Sequence, residues 1–238
     1  MDDETVLRTF PFSSLLFTAL LITFYLSALK IIRYFMLNRD PFDLHNFIIA
    51  YNVYQILACA TFMNILVKSG VKFWRVYCPE TWYMEPQLQY DIGRFGFWLK
   101  ASEMIETFVF LLRKKNGQVT KLHLFHHCIT VTFLYFSVAY DFKSGGYLAL
   151  FINSLVHVIM YSYYLASTLF SGSRVLSNFK PVITVIQITQ FVIVLCQILL
   201  HKVFMGCEYP MFFTFYYFFG FGALTVFFLD FYRKTYKK

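Results

Sequence analysis

The chain has 238 residues, of which 58% are hydrophobic, 22% aromatic and only 14% charged. Soluble domains carry about 25% charged residues, so this composition excludes an ordinary water-soluble enzyme and points to a surface that meets lipid. The net charge of +8 does not indicate nucleic acid, because the apolar runs leave no soluble domain to carry a basic groove. Basic loops on such a chain set topology or meet anionic headgroups and ligands.

A spanning helix needs roughly 20 mostly apolar residues. Such runs predict an all-α integral membrane protein with seven transmembrane helices, at 11–32, 44–67, 92–112, 122–141, 146–170, 181–202 and 209–231. Asp2, Asp3 and Glu4 precede the first run. It therefore lacks the basic start of a cleaved signal and reads as a retained span. The third run carries Arg94, Lys100, Glu103 and Glu106 and must be buried among other helices, since charge facing lipid is expensive. Breaks fall at Pro41, Pro79 and Pro86, Asn116-Gly117, Gly145-Gly146, Gly172 and Pro210, with Pro181 just inside a helix start. No repeat or long linker interrupts the chain, which reads as one polytopic domain over 1–238.

Thirteen Lys and Arg follow the odd-numbered spans, against seven on the opposite side. The positive-inside rule then places the N-terminus outside or in a lumen and the C-terminus in the cytosol. Cys59, Cys128 and Cys196 lie within spans, whereas Cys78 and Cys207 fall in non-cytosolic loops. An oxidising lumen permits a Cys78–Cys207 disulfide there; two free thiols are the alternative.

Four consecutive runs each carry a polar stripe. His123, His126 and His127 stand at i, i+3 and i+4, on one helix face. A lone histidine in a membrane helix is readily a satisfied core residue; three on one face are hard to read that way. Lys100, Glu103 and Thr107 share a stripe of the third span with Glu106 beside it, either as a functional group or as an ion pair that only fixes packing. Asn153, His157, Tyr161 and Tyr164 stack along the fifth span. Thr184, Gln187 and Gln190 line the sixth, where polar residues also act as interhelical hydrogen-bond glue. Convergence of these stripes would enclose a narrow site suited to an amphipathic substrate, with a polar head near the histidines and an alkyl tail along an aromatic wall.

Together the motifs resemble those of the ELO family of very-long-chain fatty acid elongases. The family's Lys-x-x-Glu-x-x-Asp-Thr is similar to Lys100–Thr107, with Glu106 in place of Asp. His-x-x-His-His matches at His123, His126 and His127, His-x-x-Met-Tyr-x-Tyr-Tyr from His157 to Tyr164, and Thr-x-x-Gln-x-x-Gln at Thr184, Gln187 and Gln190. The resemblance implies spans two to seven enclosing a substrate tunnel. It also implies a decarboxylating condensation of a long-chain acyl-CoA with malonyl-CoA to a 3-oxoacyl-CoA two carbons longer. No metal or other cofactor is implied. Implied partners are the reductases and dehydratase of an elongation cycle and membrane lipid, with a homo-oligomer allowed. The implied location is the endoplasmic reticulum. The C-terminal Lys234-Thr-Tyr-Lys237-Lys238 departs from a dilysine retrieval signal, so that location rests on the family.

By the same resemblance, His126 takes the acyl group as an acyl-imidazole, with His157 facing it and His123 and His127 orienting the site or handling proton and enolate charge. Asn153, Tyr161, Gln187 and Gln190 are hydrogen-bond donors for thioester or malonyl oxygens, and Tyr164, Glu103 and Glu106 belong to the same substrate-binding set. Lys100 meets the acidic part of CoA or pairs with Glu103. Arg113, Lys114, Lys115 and Arg174 form the basic cytosolic face where CoA enters. Cys128, about 200° around the helix from His126, faces away from the histidine stripe and is not the nucleophile. A di-iron desaturase or hydroxylase also carries His-x-x-His-His but needs about eight histidines, and this chain has 6. A seven-helix receptor or lipid transporter fits the span count but does not call for the histidine triad.

Overall fold

The computed structural model describes residues 14–70, 85–139, 145–207 and 211–237. Among the described residues, all regular structure is helical: α1 (Leu15–Phe35), α2 (His45–Lys68), α3 (Pro86–Glu103), α4 (Ile105–Leu112), α5 (Lys121–Ala139), α6 (Gly145–Leu169), α7 (Arg174–Leu199) and α8 (Met211–Tyr236). A 3₁₀ turn (Asn116–Gln118) precedes α5, and a π turn (Leu200–Phe204) ends α7.

Among the described residues, five helices are long and apolar enough to cross a membrane: α1, α2, α6, α7 with its π turn, and α8. The 21 residues of α1 rise about 30 Å, the thickness of a bilayer's hydrocarbon core. Its faces are inverted relative to a soluble helix: Leu16, Phe24 and Ile31 are each about two-thirds exposed, while Thr18 and Tyr25 are buried. Lipid rewards that arrangement, because burial in protein is reserved for groups that need polar neighbours. The expected third and fourth spans do form helices. The third is split at Met104 and carries the charges that lower its hydropathy; the fourth, α5, holds three histidines.

Local chemistry explains the boundaries. Ser14 caps α1, its side chain accepting the Phe17 N–H. Pro86 opens α3, where its missing N–H would have no intrahelical partner in any case. Pro181 is displaced from the expected position. The helix starts seven residues earlier, at Arg174, because Ser173 in an extended conformation accepts the Leu176 N–H, leaving Pro181 inside α7. About five turns after it, a π turn ends the helix just before Gly206, whose φ of +64° is a conformation glycine adopts without strain. Cys207 N–H donates back to the His201 carbonyl, and Cys207 is disulfide-bonded. Cys59, Cys128 and Cys196 are free thiols; Cys78, the expected partner of Cys207, lies outside the described residues.

The chain divides into two compact units. The first, Met1–Phe47 with Glu85–Phe142, holds α1, α3, α4 and α5. In it Phe17 packs on Phe97 at 6.0 Å, Tyr25 meets Phe108 edge-on at 5.6 Å, and the Phe42 N–H donates to the last carbonyl of α4, Leu112. The second, Ile48–Met84 with Lys143–Lys238, holds nearly all of α2 and then α6, α7 and α8. Tyr51, Met160, Tyr161 and Ile183 form a buried cluster there. Phe191 of α7 packs against Phe221 and Phe228 of α8.

The most costly element of the first unit is the ion pair at the end of α3. Lys100 Nζ lies 2.7 Å from Glu103 Oε1, and both side chains are almost wholly buried. Removing one partner strands the other charge in a low dielectric, which costs about 3–5 kcal/mol. Glu103→Leu or Lys100→Met should therefore lower the thermal unfolding temperature in detergent sharply. The double variant should recover most of the loss, since it removes both charges. Single variants that melt like the parent chain would show that the pair bears no such penalty.

Candidate active site

The histidine stripe forms as its spacing requires. On α5 the rings of His123 and His127 lie 4.4 Å apart, and those of His126 and His127 5.4 Å apart, both pairs edge-on. His127 is buried, whereas His123 and His126 are partly accessible. The hydroxyls that follow are satisfied within the helix. Thr130 Oγ1 donates to the carbonyls of His126 and His127, and Thr132 to that of Cys128. They therefore add polarity without needing partners from lipid. Cys128 is a partly buried free thiol on the same helix.

The Lys100–Thr107 motif does not run along one continuous helix. Met104 has φ −64° and ψ −21°, dihedrals of a 3₁₀ turn. Met104 N–H donates to Ala101 and Thr107 N–H to Met104, each three residues back. A residue in such a turn advances by about 120° rather than about 100°, so the residues after Met104 leave the stripe that a straight helix would give. Lys100 and Glu103 pair with each other. Thr107, fully buried, bonds instead to His123 Nε2 at 2.8 Å and to the Tyr25 hydroxyl at 2.6 Å. Glu106 is buried on the same turn.

The second polar group lies within the second unit. Asn153 Nδ2 donates to Gln190 Oε1 at 3.3 Å, joining α6 to α7. Gln187 Nε2 donates to the Met160 sulfur at 3.4 Å. His157 stands edge-on to Tyr161 at 5.8 Å, and Tyr161 in turn to Tyr164 and to Tyr51 of α2, each at 6.0 Å. His157 and Tyr161 are buried. Thr184 turns inward on itself, donating to the Lys180 carbonyl.

The basic residues stand at helix ends. Arg113, Lys114 and Lys115 are exposed just after α4, with Lys114 at φ +54° and its amine 3.5 Å from the Leu37 carbonyl. Arg174, also exposed, lines a cavity of about 360 Å³ at the turn between α6 and α7, together with Tyr163, Ser167, Ser173 and Lys180.

Several positions escaped the sequence reading. Tyr25 on α1 reaches the histidine stripe, with its ring 6.4 Å from that of His127. Asn52 and Gln55 on α2 are buried polar residues, and Tyr51 touches Tyr161. A stripe of Asn52, Gln55 and Cys59 at i, i+3 and i+7 was available as a signal; for a single tyrosine among 18 there was none.

Comparison with known proteins agrees with the motifs. The model of the ELO family, described as the GNS1/SUR4 family, matches residues 10–238. A very long chain fatty acid elongase of Aedes aegypti is 30% identical over 85% of this chain and 58% of its own length. Very long chain fatty acid elongase 7 of Drosophila melanogaster is 30% identical over 85% of this chain and 63% of its own length. Very long chain fatty acid elongase 1 of Homo sapiens is 32% identical over 83% of this chain and 72% of its own length. The chain thus spans somewhat less than two-thirds of the length of the two insect relatives. With a family match covering almost every residue and the family's four motifs in order, this chain belongs to the ELO family.

Proposed function

We propose that this chain is the condensing enzyme of fatty acid elongation, joining a long-chain acyl-CoA to malonyl-CoA. The observation that carries the reading is the packed trio of imidazoles on α5, in a chain whose relatives are named very long chain fatty acid elongases. Imidazole suits this chemistry because a neutral ring nitrogen can attack a thioester and then leave as a good leaving group. In the proposed first half-reaction a nitrogen of His126 bonds to the acyl carbon and the C–S bond breaks, releasing CoA as its thiol. In the second, malonyl-CoA loses CO2, and the resulting enolate carbon attacks the acyl-imidazole. The C–N bond breaks, the imidazole is regenerated, and 3-oxoacyl-CoA leaves. His157 is the second proposed acyl acceptor, and His127 shares the proton and enolate charge.

Asn153, Gln187, Gln190 and Tyr161 supply hydrogen bonds to carbonyl oxygens in this scheme, with Tyr164 lining the same face of α6. The Lys100–Glu103 pair and Glu106 hold the polar end of the third crossing. The reading takes no metal or redox cofactor. It takes seven crossings, with α3–α4 as the third and α5 as the fourth. The N-terminus is lumenal in the endoplasmic reticulum, Cys78 bridges to Cys207, and the reductases and dehydratase of the cycle act on the product.

The direct test supplies labelled long-chain acyl-CoA to purified protein without malonyl-CoA, followed by peptide mass spectrometry. The expected outcome is an acyl group on His126, discharged by malonyl-CoA with release of CO2. His126→Ala should lose the adduct and slow turnover roughly 10²- to 10⁴-fold. Product without any adduct would remove the covalent step while keeping the condensation. No product at any chain length, with stoichiometric iron in the sample, would replace the reading with a di-iron one.

The basic helix ends give a second expectation. Arg113, Lys114 and Lys115 are exposed, so their attraction for CoA phosphates acts on binding and is screened by salt. Replacing all three by Ala should raise KM for acyl-CoA several-fold with little change in kcat. The gap between parent and variant should close as salt is raised from low concentration to about 1 M. A fall in kcat at unchanged KM would assign these residues elsewhere.

A further inference from the structure

The three histidines of the α5 stripe are not equivalent, and a tyrosine of α1 is what distinguishes them. Tyr25 OH lies 2.6 Å from Thr107 Oγ1, which lies 2.8 Å from His123 Nε2. Tyr25 and Thr107 are almost wholly buried. Among the described residues neither hydroxyl has any further hydrogen-bond partner. Both bonds can therefore be made in three ways.

In one, Tyr25 donates to Thr107, Thr107 donates to His123 Nε2, and the imidazole carries its proton on Nδ1. Both hydroxyl protons then have an acceptor, and the Nδ1–H of this partly accessible ring is the donor left to meet a ligand. In the second, His123 Nε2–H donates to Thr107 and Thr107 donates to Tyr25, which leaves the phenolic proton of Tyr25 buried with nothing to receive it. In the third, Tyr25 and His123 both donate to Thr107, and the buried Thr107 proton is the one with no acceptor. Stranding a buried donor costs about 1–3 kcal/mol. Phenol is also the stronger acid of the two hydroxyls and hence the better donor. An imidazolium at His123 would force one of these two unfavourable arrangements, because its Nε2 must donate.

We propose that Tyr25 and Thr107 are positioning residues that fix His123 as the Nδ1–H tautomer, so that His123 serves the reaction as a hydrogen-bond donor. Its Nε2 lone pair is occupied by Thr107 and its Nδ1 carries the proton. It thus has no lone pair with which to accept an acyl group or a proton. Among the three histidines of α5, the nucleophile and base roles fall to His126 and His127. The inference rests on the elongase reading for the word reaction, but its structural content, one tautomer at one ring, is independent of it. It also gives α1 a part in the site.

The test isotopically labels the histidine nitrogens of the full chain in detergent and reads the tautomer of His123 from its nitrogen resonances, assigned by their loss in His123→Asn. The expected spectrum has a protonated Nδ1 and an unprotonated, hydrogen-bonded Nε2. Tyr25→Phe should mix the tautomers and lower kcat roughly 5- to 30-fold with KM nearly unchanged. Thr107→Val should do the same, and Thr107→Ser, which keeps the hydroxyl, should restore both spectrum and turnover. A proton on Nε2 in the parent chain would overturn the proposal, as would Tyr25→Phe that leaves both spectrum and kcat unaltered. If Tyr25→Phe does not fold, the Thr107 pair decides alone: equal behaviour of Val and Ser would sink the idea. The spectrum needs no substrate, so a parent chain that elongates nothing yet shows the Nδ1–H form would remove the elongase reading and keep the tautomer assignment.

Discussion

Histidines placed among apolar helices must have their ring nitrogens satisfied by other side chains, because lipid supplies neither donor nor acceptor. The first unit is organised by that requirement. Thr107 is held where it can bond His123, and the 3₁₀ turn at Met104 sets the rotation of α4 relative to α3 that places it there. Tyr25 then has to be buried against Thr107, which draws α1 onto α4. Phe108 and His127 pack around the Tyr25 ring. The polar bonds fix the register; the aromatic contacts fill the space that the register leaves.

The interrupted helix also separates two electrostatic problems. The buried Lys100–Glu103 pair is made within one helical turn, at 2.7 Å. A second carboxylate on the same face would compete for the one ammonium. Glu106, beyond the turn, is buried and takes no part in that pair.

How much of this was legible depended on the range of each signal. The His123–His126–His127 face could be read because i, i+3 and i+4 neighbours meet in any α-helix. The Lys100–Glu103 pair and the α6 stripe of His157, Tyr161 and Tyr164 were legible for the same reason. The boundaries of α1, α2 and α6 came out within a few residues because apolar runs end where charge or glycine begins. The break at Met104 was not legible, since no proline or glycine marks it; tertiary bonding of Thr107 overrides local propensity there. Pro181 misled in the opposite direction. Proline favours a first turn, but Ser173 caps a helix that begins at Arg174, seven residues ahead of the expected start. Tyr25 could not have been found at all, because contacts between α1 and α4 have a sequence separation of 82 residues and no periodicity announces them.

Under the proposed condensation, the arrangement bears on why the site would hold three neighbouring imidazoles, with centroids 4.4 and 5.4 Å apart, when a nucleophile and a base need only two: a ring held in one tautomer presents a fixed donor to the other two. Pinning has to come from a group that cannot itself titrate under working conditions, since a carboxylate in that place would offer a second base. A threonine backed by a tyrosine meets the condition: neither hydroxyl ionises near neutral pH, and among the described residues the Thr107 hydroxyl bonds only Tyr25 and the His123 ring, while that of Tyr25 bonds only Thr107. On the proposed reading, Thr107 at the end of the Lys-x-x-Glu motif is the hydroxyl through which α4 sets the protonation of a ring on α5.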